Sequence, residues 1–301
     1  MASKSRYLFS AFLSVGIWGF FAIPLRNLSD FPAQEILYYR IFTSLIVIWV
    51  TIFLFRKSAV KKDINYFKTL SSTHKNNIIW QVLGATILLT LNWLTFIYAV
   101  NNVSLKSAAF AYMVCPLITA FGGFLILKEE LSKIKLIALA VALVSILLLA
   151  TGSFIEVVWS VVIASLYGFY LIIQRKMQHL DKLNVLALQI TLAVLLMLPF
   201  YLYEHQTVPN SSLFWTNIIV IAVLFTVIPL FLSLYALIGI PSSTLGVIIY
   251  LNPIIAFSVA VLYFNEKIDI HQLMAYTLLL FAVFLFNWNL IKDIFTFNKR
   301  I

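Results

Sequence analysis

Cysteine, histidine and charged residues are all scarce in this chain. The single thiol, Cys115, excludes an internal disulfide framework and a metal cluster built from cysteine ligands. Charged residues make up 11% of the sequence and hydrophobic residues 62%, whereas soluble domains have about 25% charged and about 45–50% apolar residues. A composition this poor in charge excludes an ordinary soluble domain, and the lipid bilayer is the expected solvent.

Motifs of the common enzyme classes are missing as well. No H-E-x-x-H, G-x-S-x-G, Walker or dinucleotide-binding pattern occurs. The eleven acidic residues and the four histidines lie outside the long apolar runs, so a membrane-embedded hydrolase or a buried proton relay lacks its usual groups. We expect no enzymatic activity, no metal, no cofactor and no ATP drive from this chain.

Long apolar runs fill most of the sequence. A run of roughly 16 to 24 uncharged residues crosses ~30 Å of hydrocarbon at 1.5 Å per residue. The sequence therefore predicts an all-α integral membrane protein with ten transmembrane helices. The predicted spans are 8–25, 36–55, 78–99, 107–127, 136–151, 157–174, 184–203, 214–237, 243–264 and 272–291.

The basic residues indicate the orientation. A net charge of +10 is common in proteins with a nucleic-acid partner, but lysine and arginine occur here in short blocks between apolar runs. With a cytoplasmic N-terminus, seventeen of the 21 basic residues fall on the cytoplasmic side, three on the other and Arg40 inside a span. This asymmetry predicts that both termini are cytoplasmic in a bacterial-type inner membrane, and we expect no nucleic-acid partner.

The two halves of the chain resemble one another at fixed offsets. An offset of 137 relates Ser107 to Thr244, Pro116 to Pro253 and Glu129 to Glu266, and an offset of 149 relates Arg40 to Gln189. We divide the chain into five-helix units at 1–152 and 153–301. An odd number of spans per unit makes the second unit inverted, an arrangement typical of transporters. The alternative is that any two apolar helices look alike.

Pro116 and Pro253 fall in the middle of predicted helices at equivalent places. A proline removes one backbone hydrogen bond and can kink a helix. Interrupted helices at matching positions of two repeats often mark the binding site of a transporter. Four glycines, Gly16, Gly19, Gly122 and Gly123, are predicted to allow close helix packing.

Arg40 is the strongest candidate for a functional residue. An arginine at membrane depth costs at least ~2.5 kcal/mol on insertion scales and usually faces a cavity, although it can also be structural. Helical spacing places Thr43 and Ser44 on its face. Glu35 lies about 140° away around the helix and is expected at the outer mouth.

Other polar and aromatic residues within the spans are candidates for lining a solute cavity. Buried tyrosine hydroxyls need partners, which favours the bundle interior over lipid, although packing or interfacial anchoring would also explain such residues. The predicted substrate-binding residues are Arg40, Ser44, Asn92, Trp93, Tyr112, Tyr167, Gln189, Tyr235, Tyr250 and Asn252.

Several stretches resemble the drug/metabolite transporter superfamily of EamA-type permeases, and within it the RarD branch. They are EILYYRIFTS (35–44), NWLTFIYAVNN (92–102), ASLYGFYLIIQRK (164–176) and LGVIIYLNPIIAF with the later FNE (245–266). The resemblance implies two five-helix EamA repeats and the export or exchange of metabolites such as amino acids, with drugs carried by some members. It does not imply which solute this chain carries.

Three functions remain open from the sequence. The leading hypothesis is a secondary transporter of small organic solutes that works by alternating access. A membrane enzyme that binds a lipid-linked phosphate through Arg40 is a second, and a non-transporting scaffold is a third. The expected partners are a small-molecule substrate and the lipid bilayer.

Overall fold

The structure is a computed structural model that describes residues 2–102, 105–149, 154–204, 208–263, 270–286 and 288. Within these ranges all regular structure is helical and no strand occurs. A π-helical segment, Val223–Val227, joins α10 to α11. The helices are α1 (Ala2–Gly19), α2 (Ala22–Arg26), α3 (Ala33–Phe55), α4 (Lys57–Thr69), α5 (Ser72–Asn102), α6 (Leu105–Leu127), α7 (Lys133–Leu149), α8 (Phe154–Lys176), α9 (Lys182–Tyr203), α10 (Ser212–Ala222), α11 (Ile228–Gly239), α12 (Ser242–Ile248), α13 (Leu251–Leu262) and α14 (Ile270–Phe286).

Six helical segments of the described chain are long and apolar enough to cross a membrane. The predicted all-α membrane architecture is therefore confirmed, whereas the number ten stays a prediction. The six segments are Ser5–Arg26, Gln34–Phe55, Ser72–Phe96, Val158–Lys176, Lys182–Tyr203 and Ser212–Gly239.

Prolines explain three interruptions that divide predicted spans. A proline at position i cannot donate to the carbonyl of residue i−4. Pro24 lies four residues after Phe20, where α1 gives way to a turn, and Pro253 lies four residues after Ile249, where α12 ends. Pro229 lies four residues after Phe225, whose carbonyl in the π-helical segment accepts a hydrogen bond from Trp18 Nε1 at 2.9 Å instead.

The basic segment 56–77 contains a helix that the sequence does not predict. This helix, α4, has no buried residue, but its beginning and its middle contact the second half. Arg56 forms an ion pair with Asp181. Asp63 accepts hydrogen bonds from Asn184 Nδ2 at 2.7 Å and from the backbone N–H of Asp181 at 3.1 Å. Tertiary contacts thus stabilise a helix whose charged sequence gives a weak signal.

The two halves pack into one core rather than forming separate bodies. Helix α6 packs against α8 and α12, α7 against α14, α1 against α11, and α3 against α9. Glycine allows close approaches between helices, because a Cβ on Gly168 or Gly246 would meet Thr119 of α6 at 3.1 Å and 2.8 Å. The prediction for Gly16 is wrong, since no atom lies within 4 Å of a Cβ built there.

Candidate functional site

Arg40 lies within the bundle on α3, seven residues after the first residue of the helix, or about 10 Å along its axis. Its guanidinium lies over two aromatic rings, 5.2 Å from the centroid of Trp93 and 6.0 Å from that of Phe21. Such cation–π contacts contribute roughly 0.5–2 kcal/mol each, and more when they are shielded from water. The aromatic rings therefore hold the charge in place without neutralising it.

Four separate elements bring these groups together. Phe21 comes from the turn between α1 and α2, Trp93 from α5, and Tyr112 of α6 lies close enough to Arg40 to interact with its charge. The ring of Tyr112 also packs on Phe96, with centroids 5.7 Å apart. We call Phe21, Arg40, Trp93 and Tyr112 the Arg40 cluster; all four side chains are partly exposed.

No described residue neutralises Arg40. Its Nε is buried without a hydrogen-bond partner, and no carboxylate of the described chain forms an ion pair with it. A charge in this position is costly unless it is paired, because membrane and protein interiors solvate charges poorly. The Arg40 cluster thus lacks an anionic partner for its charge. A carboxylate or similar anion could supply it, because the planar guanidinium offers paired hydrogen-bond donors.

Ser44 and Asn92, both predicted to bind substrate, have their donors engaged within the fold. Ser44 is fully buried, and its hydroxyl donates to the carbonyl of Arg40 at 2.7 Å and to that of Ala222 at 3.4 Å. Asn92 Nδ2 donates to the carbonyl of Ile163 at 2.9 Å. Asn92 thereby fastens α5 to α8 beside Trp93, which fixes one wall of the Arg40 cluster.

Two of the predicted tyrosines pack near the only cysteine. Tyr112 lies three residues before Cys115 on α6, and Tyr167 of α8 belongs to the same cluster as Cys115, which is 1% exposed. Tyr250, in the turn before α13, packs with Val114 of α6, and its hydroxyl is buried without a hydrogen-bond partner among the described residues. Tyrosines from α6, α8 and this turn therefore come together around the middle of α6.

The remaining candidates lie apart from the Arg40 cluster. Tyr235 packs on Tyr7, with ring centroids 5.1 Å apart. Asn252 is a partly exposed residue in the first turn of α13. Glu35 is 8% exposed in the first turn of α3, where a carboxylate complements the helix dipole. Gln189 is fully buried, and its Oε1 accepts from Gln174 Nε2 at 2.7 Å.

The two repeat-related prolines differ in their surroundings. Helix α6 runs without interruption through Pro116. In the second half the helix stops at Ile248 and resumes at Leu251, and the N–H of Asn252 donates to the carbonyl of Ile249 at 2.9 Å. The interruption therefore lies one turn before Pro253, where the N–H of Asn252 takes the place of the donor that proline lacks.

Sequence reasoning missed two features of the site. Phe21 is one of 26 phenylalanines and carries no local signal. The π-helical segment Val223–Val227 is also unpredicted, although π-bulges are frequent near functional sites. Trp18 donates to this segment and packs edge-on against Tyr167, with centroids 6.1 Å apart.

Metal ligands are not assembled anywhere in the part of the chain that the structure describes. No group of three or more histidine, cysteine, aspartate or glutamate side chains comes together there. The groups that meet at the centre are an arginine, aromatic rings and hydroxyls, which can bind and orient a solute.

Known proteins of similar sequence and structure are transporters where their names state a function. A 26% identical relative, the uncharacterized transporter YojE of Bacillus subtilis, aligns over 96% of both chains. Protein RarD of Streptomyces exfoliatus is 26% identical over 95% of this chain and 89% of its own, and Protein RarD of Escherichia coli is 26% identical over 90% of each. A crystal structure with 14% sequence identity shares the fold, with a TM-score of 0.72 over 93% of this chain and 96% of the other.

A family model gives the assignment. The model of the EamA-like transporter family matches residues 5–151 and again residues 154–288. These two matches span nearly all of the sequence and agree with the helical architecture. The chain therefore belongs to the EamA-like transporter family.

Proposed function

We propose that this protein is a secondary transporter that moves small organic solutes bearing a carboxylate across the inner membrane by alternating access, as an exporter or exchanger. The observation that carries the proposal is the guanidinium of Arg40, held over Trp93 and Phe21 and left without an anionic partner among the described residues. In this proposal ten helices form two inverted five-helix units, 1–152 and 153–301, with both termini in the cytoplasm.

The surroundings of Arg40 favour a solute with two chemical parts. A carboxylate would accept paired hydrogen bonds from the planar guanidinium. An apolar or aromatic body would pack on Trp93 and Tyr112, which are partly exposed beside it. Amino acids with large apolar side chains combine both features, and they are the first solutes to examine.

Counterflow in proteoliposomes tests the proposal directly. Vesicles loaded with unlabelled L-phenylalanine or L-leucine should take up the same labelled amino acid faster than empty vesicles, because only a carrier shows stimulation by solute on the opposite side. Phenylalaninamide, which lacks the carboxylate, should not compete. A protein that binds these amino acids without stimulated exchange would instead act as a scaffold or receptor, and one that converts them chemically would be an enzyme.

Reporter fusions test the proposed topology. A reporter active only in the cytoplasm should work after Arg300 and in the loops at Lys61 and Lys182, because the basic residues concentrate on that side. A periplasmic reporter should work at Gln206. The reverse pattern would overturn the orientation.

A further inference from the structure

A carboxylate at the end of α6 holds the beginning of α12, and the two helices belong to different halves of the chain. Glu129 Oε1 accepts hydrogen bonds from the backbone N–H and the hydroxyl of Ser242, both at 2.8 Å. Its Oε2 accepts from the backbone N–H of Ser243 at 3.0 Å. One side chain thus satisfies three donors at the start of α12.

This contact supplies what the start of α12 lacks. The first N–H groups of any helix have no partner within the helix. The residue before α12 is Pro241, which has no side-chain acceptor to cap them. Gly123 makes room for Glu129, because a Cβ there would lie 2.6 Å from Oε2.

The opposite end of α12 is a break. The helix is seven residues long, and it is separated from α13 by the turn at Ile249–Tyr250. Because Pro253 cannot donate to the carbonyl of Ile249, the tighter bonds of a turn replace the regular helical bond there, from Tyr250 N–H to the carbonyl of Val247 at 3.1 Å and from Asn252 N–H to that of Ile249 at 2.9 Å. Helix α12 is therefore fastened at one end and able to hinge at the other.

Helix α12 covers the centre of the bundle. All seven of its residues are buried, and Gly246 lies directly against Thr119 of α6. Cys115 is one helical turn further along α6, and its backbone carbonyl accepts a hydrogen bond from the hydroxyl of Thr119 at 2.8 Å. Movement of α12 away from α6 would uncover Thr119 first and then the thiol, which lies about 18 Å along the helix from its end at Leu127.

We propose that α12 is the gate at the cytoplasmic end of the transport path, hinged at Ile249–Tyr250, and that Glu129 is the positioning residue that holds it shut. The inference rests on the proposed alternating-access function, because a gate must release once per cycle. The repeat partner of Glu129, Glu266, lies outside the described residues.

The native thiol provides a test that needs no transported solute. Cys115 is the only cysteine, so its alkylation by a membrane-impermeant sulfonated maleimide measures the opening of the centre from a chosen side. Inside-out vesicles present the cytoplasmic face to the reagent, and right-side-out vesicles present the other. In the wild-type protein we expect slow labelling from the cytoplasmic face, because the thiol is 1% exposed.

Two variants release the gate in different ways. Glu129→Ala removes all three hydrogen bonds to a charged acceptor, and labelling from the cytoplasmic face should rise about tenfold or more. Gly123→Ala keeps the carboxylate but displaces the flexible end of its side chain, and it should raise labelling in the same direction. The matched control is Gly16→Ala, which also adds a methyl group to a helix but meets no atom within 4 Å and should leave labelling unchanged.

The sidedness of labelling separates a gate from a structural contact. Faster labelling confined to the cytoplasmic face supports the proposal. Unchanged labelling in Glu129→Ala and Gly123→Ala, or an equal rise from both faces, overturns it. If Glu129→Ala does not yield a monodisperse protein, Gly123→Ala decides the question. If the protein shows stimulated counterflow but neither Glu129→Ala nor Gly123→Ala changes the labelling of Cys115, the proposed gate is overturned and the proposed function stands.

Discussion

Arg40 and Gln189 occupy equivalent positions in the two halves but have opposite surroundings. Arg40 is partly exposed, and its guanidinium lies on aromatic rings without a hydrogen-bonded partner among the described residues. Gln189 is fully buried, and its Oε1 accepts from both Gln174 and the hydroxyl of Tyr170, while its Nε2 has no partner among the described residues. The repeat therefore fixes where a side chain sits on its helix, whereas its neighbours decide whether it is available to a ligand.

The same contrast holds for the proline-containing helices. Helix α6 of the first half is continuous through Pro116, while the corresponding helix of the second half is divided into α12 and α13. The first half thus contributes the unpaired charge and a continuous helix, and the second half contributes an amide with a hydrogen-bonded oxygen and a divided helix. Substitutions at matched positions can test this division of roles.

Arg40→Ala should have the largest effect. We expect it to abolish carboxylate binding and counterflow, because no other cationic group belongs to the Arg40 cluster. The folded yield should not fall, since removing an uncompensated intramembrane charge does not cost the bundle a paired contact. Counterflow and the monodisperse yield in detergent are the two measurements.

Arg40→Lys sharpens the same comparison. Lysine keeps the charge but loses the planar pair of donors, so binding should weaken while the fold stays intact. An Arg40→Ala protein that transports normally, or one that does not fold, would show that the arginine is incidental or structural.

Pro253→Ala should have a smaller effect, confined to transport. The new N–H can donate to the carbonyl of Ile249 and make α12 and α13 one helix, which would hinder hinging. One backbone hydrogen bond contributes about 0.5–1.5 kcal/mol, so we expect the exchange rate to fall by roughly twofold to tenfold. Pro116→Ala is the matched control, and because α6 is already continuous its rate should stay near that of the wild type. Equal effects of the two substitutions would remove the contrast between the halves.

Gln189→Leu should affect stability rather than transport. Loss of its Oε1 leaves Gln174 Nε2 and the hydroxyl of Tyr170 buried without that acceptor, at a cost of about 1–3 kcal/mol. Adding Gln174→Leu should recover much of this loss, because it removes one of the stranded donors together with its desolvation cost. Thermal unfolding in detergent measures both variants. Loss of counterflow in a stable Gln189→Leu protein would instead place this residue in the binding site.

Much of the fold follows from the sequence because bilayer thickness and apolar run length constrain the helices strongly. The helix α4 was missed because its stability comes from Asp63 and Arg56 contacting the distant residues Asn184 and Asp181. The π-helical segment was missed for a similar reason, since Trp18 donates to it from a helix of the other half.

The candidate site was only partly predictable. Arg40 can be identified as a candidate from the sequence alone, because charged residues are rare within membrane spans. Whether Trp93 or Ser44 reaches a ligand depends on partners more than forty residues away, such as Arg40 for the first and Ala222 for the second. Single-sequence patterns contain local spacing, and they carry little information about such distant contacts.

Glu35→Gln should have the smallest effect, and it extends the comparison of the halves to the start of α3. The offset that relates Arg40 to Gln189 relates Glu35 to Asn184, so the first half again holds the charged residue. Glu35 is in the first turn of the helix, where its charge complements the helix dipole, and it lies at the end of the span Gln34–Phe55 rather than deep within it. We therefore expect exchange to depend little on a proton gradient and Glu35→Gln to leave the rate nearly unchanged, measured by counterflow with and without a protonophore. If instead exchange collapses when the gradient is dissipated, and the substitution abolishes that response, Glu35 would be a proton-coupling group and the charges of α3 would act as a pair.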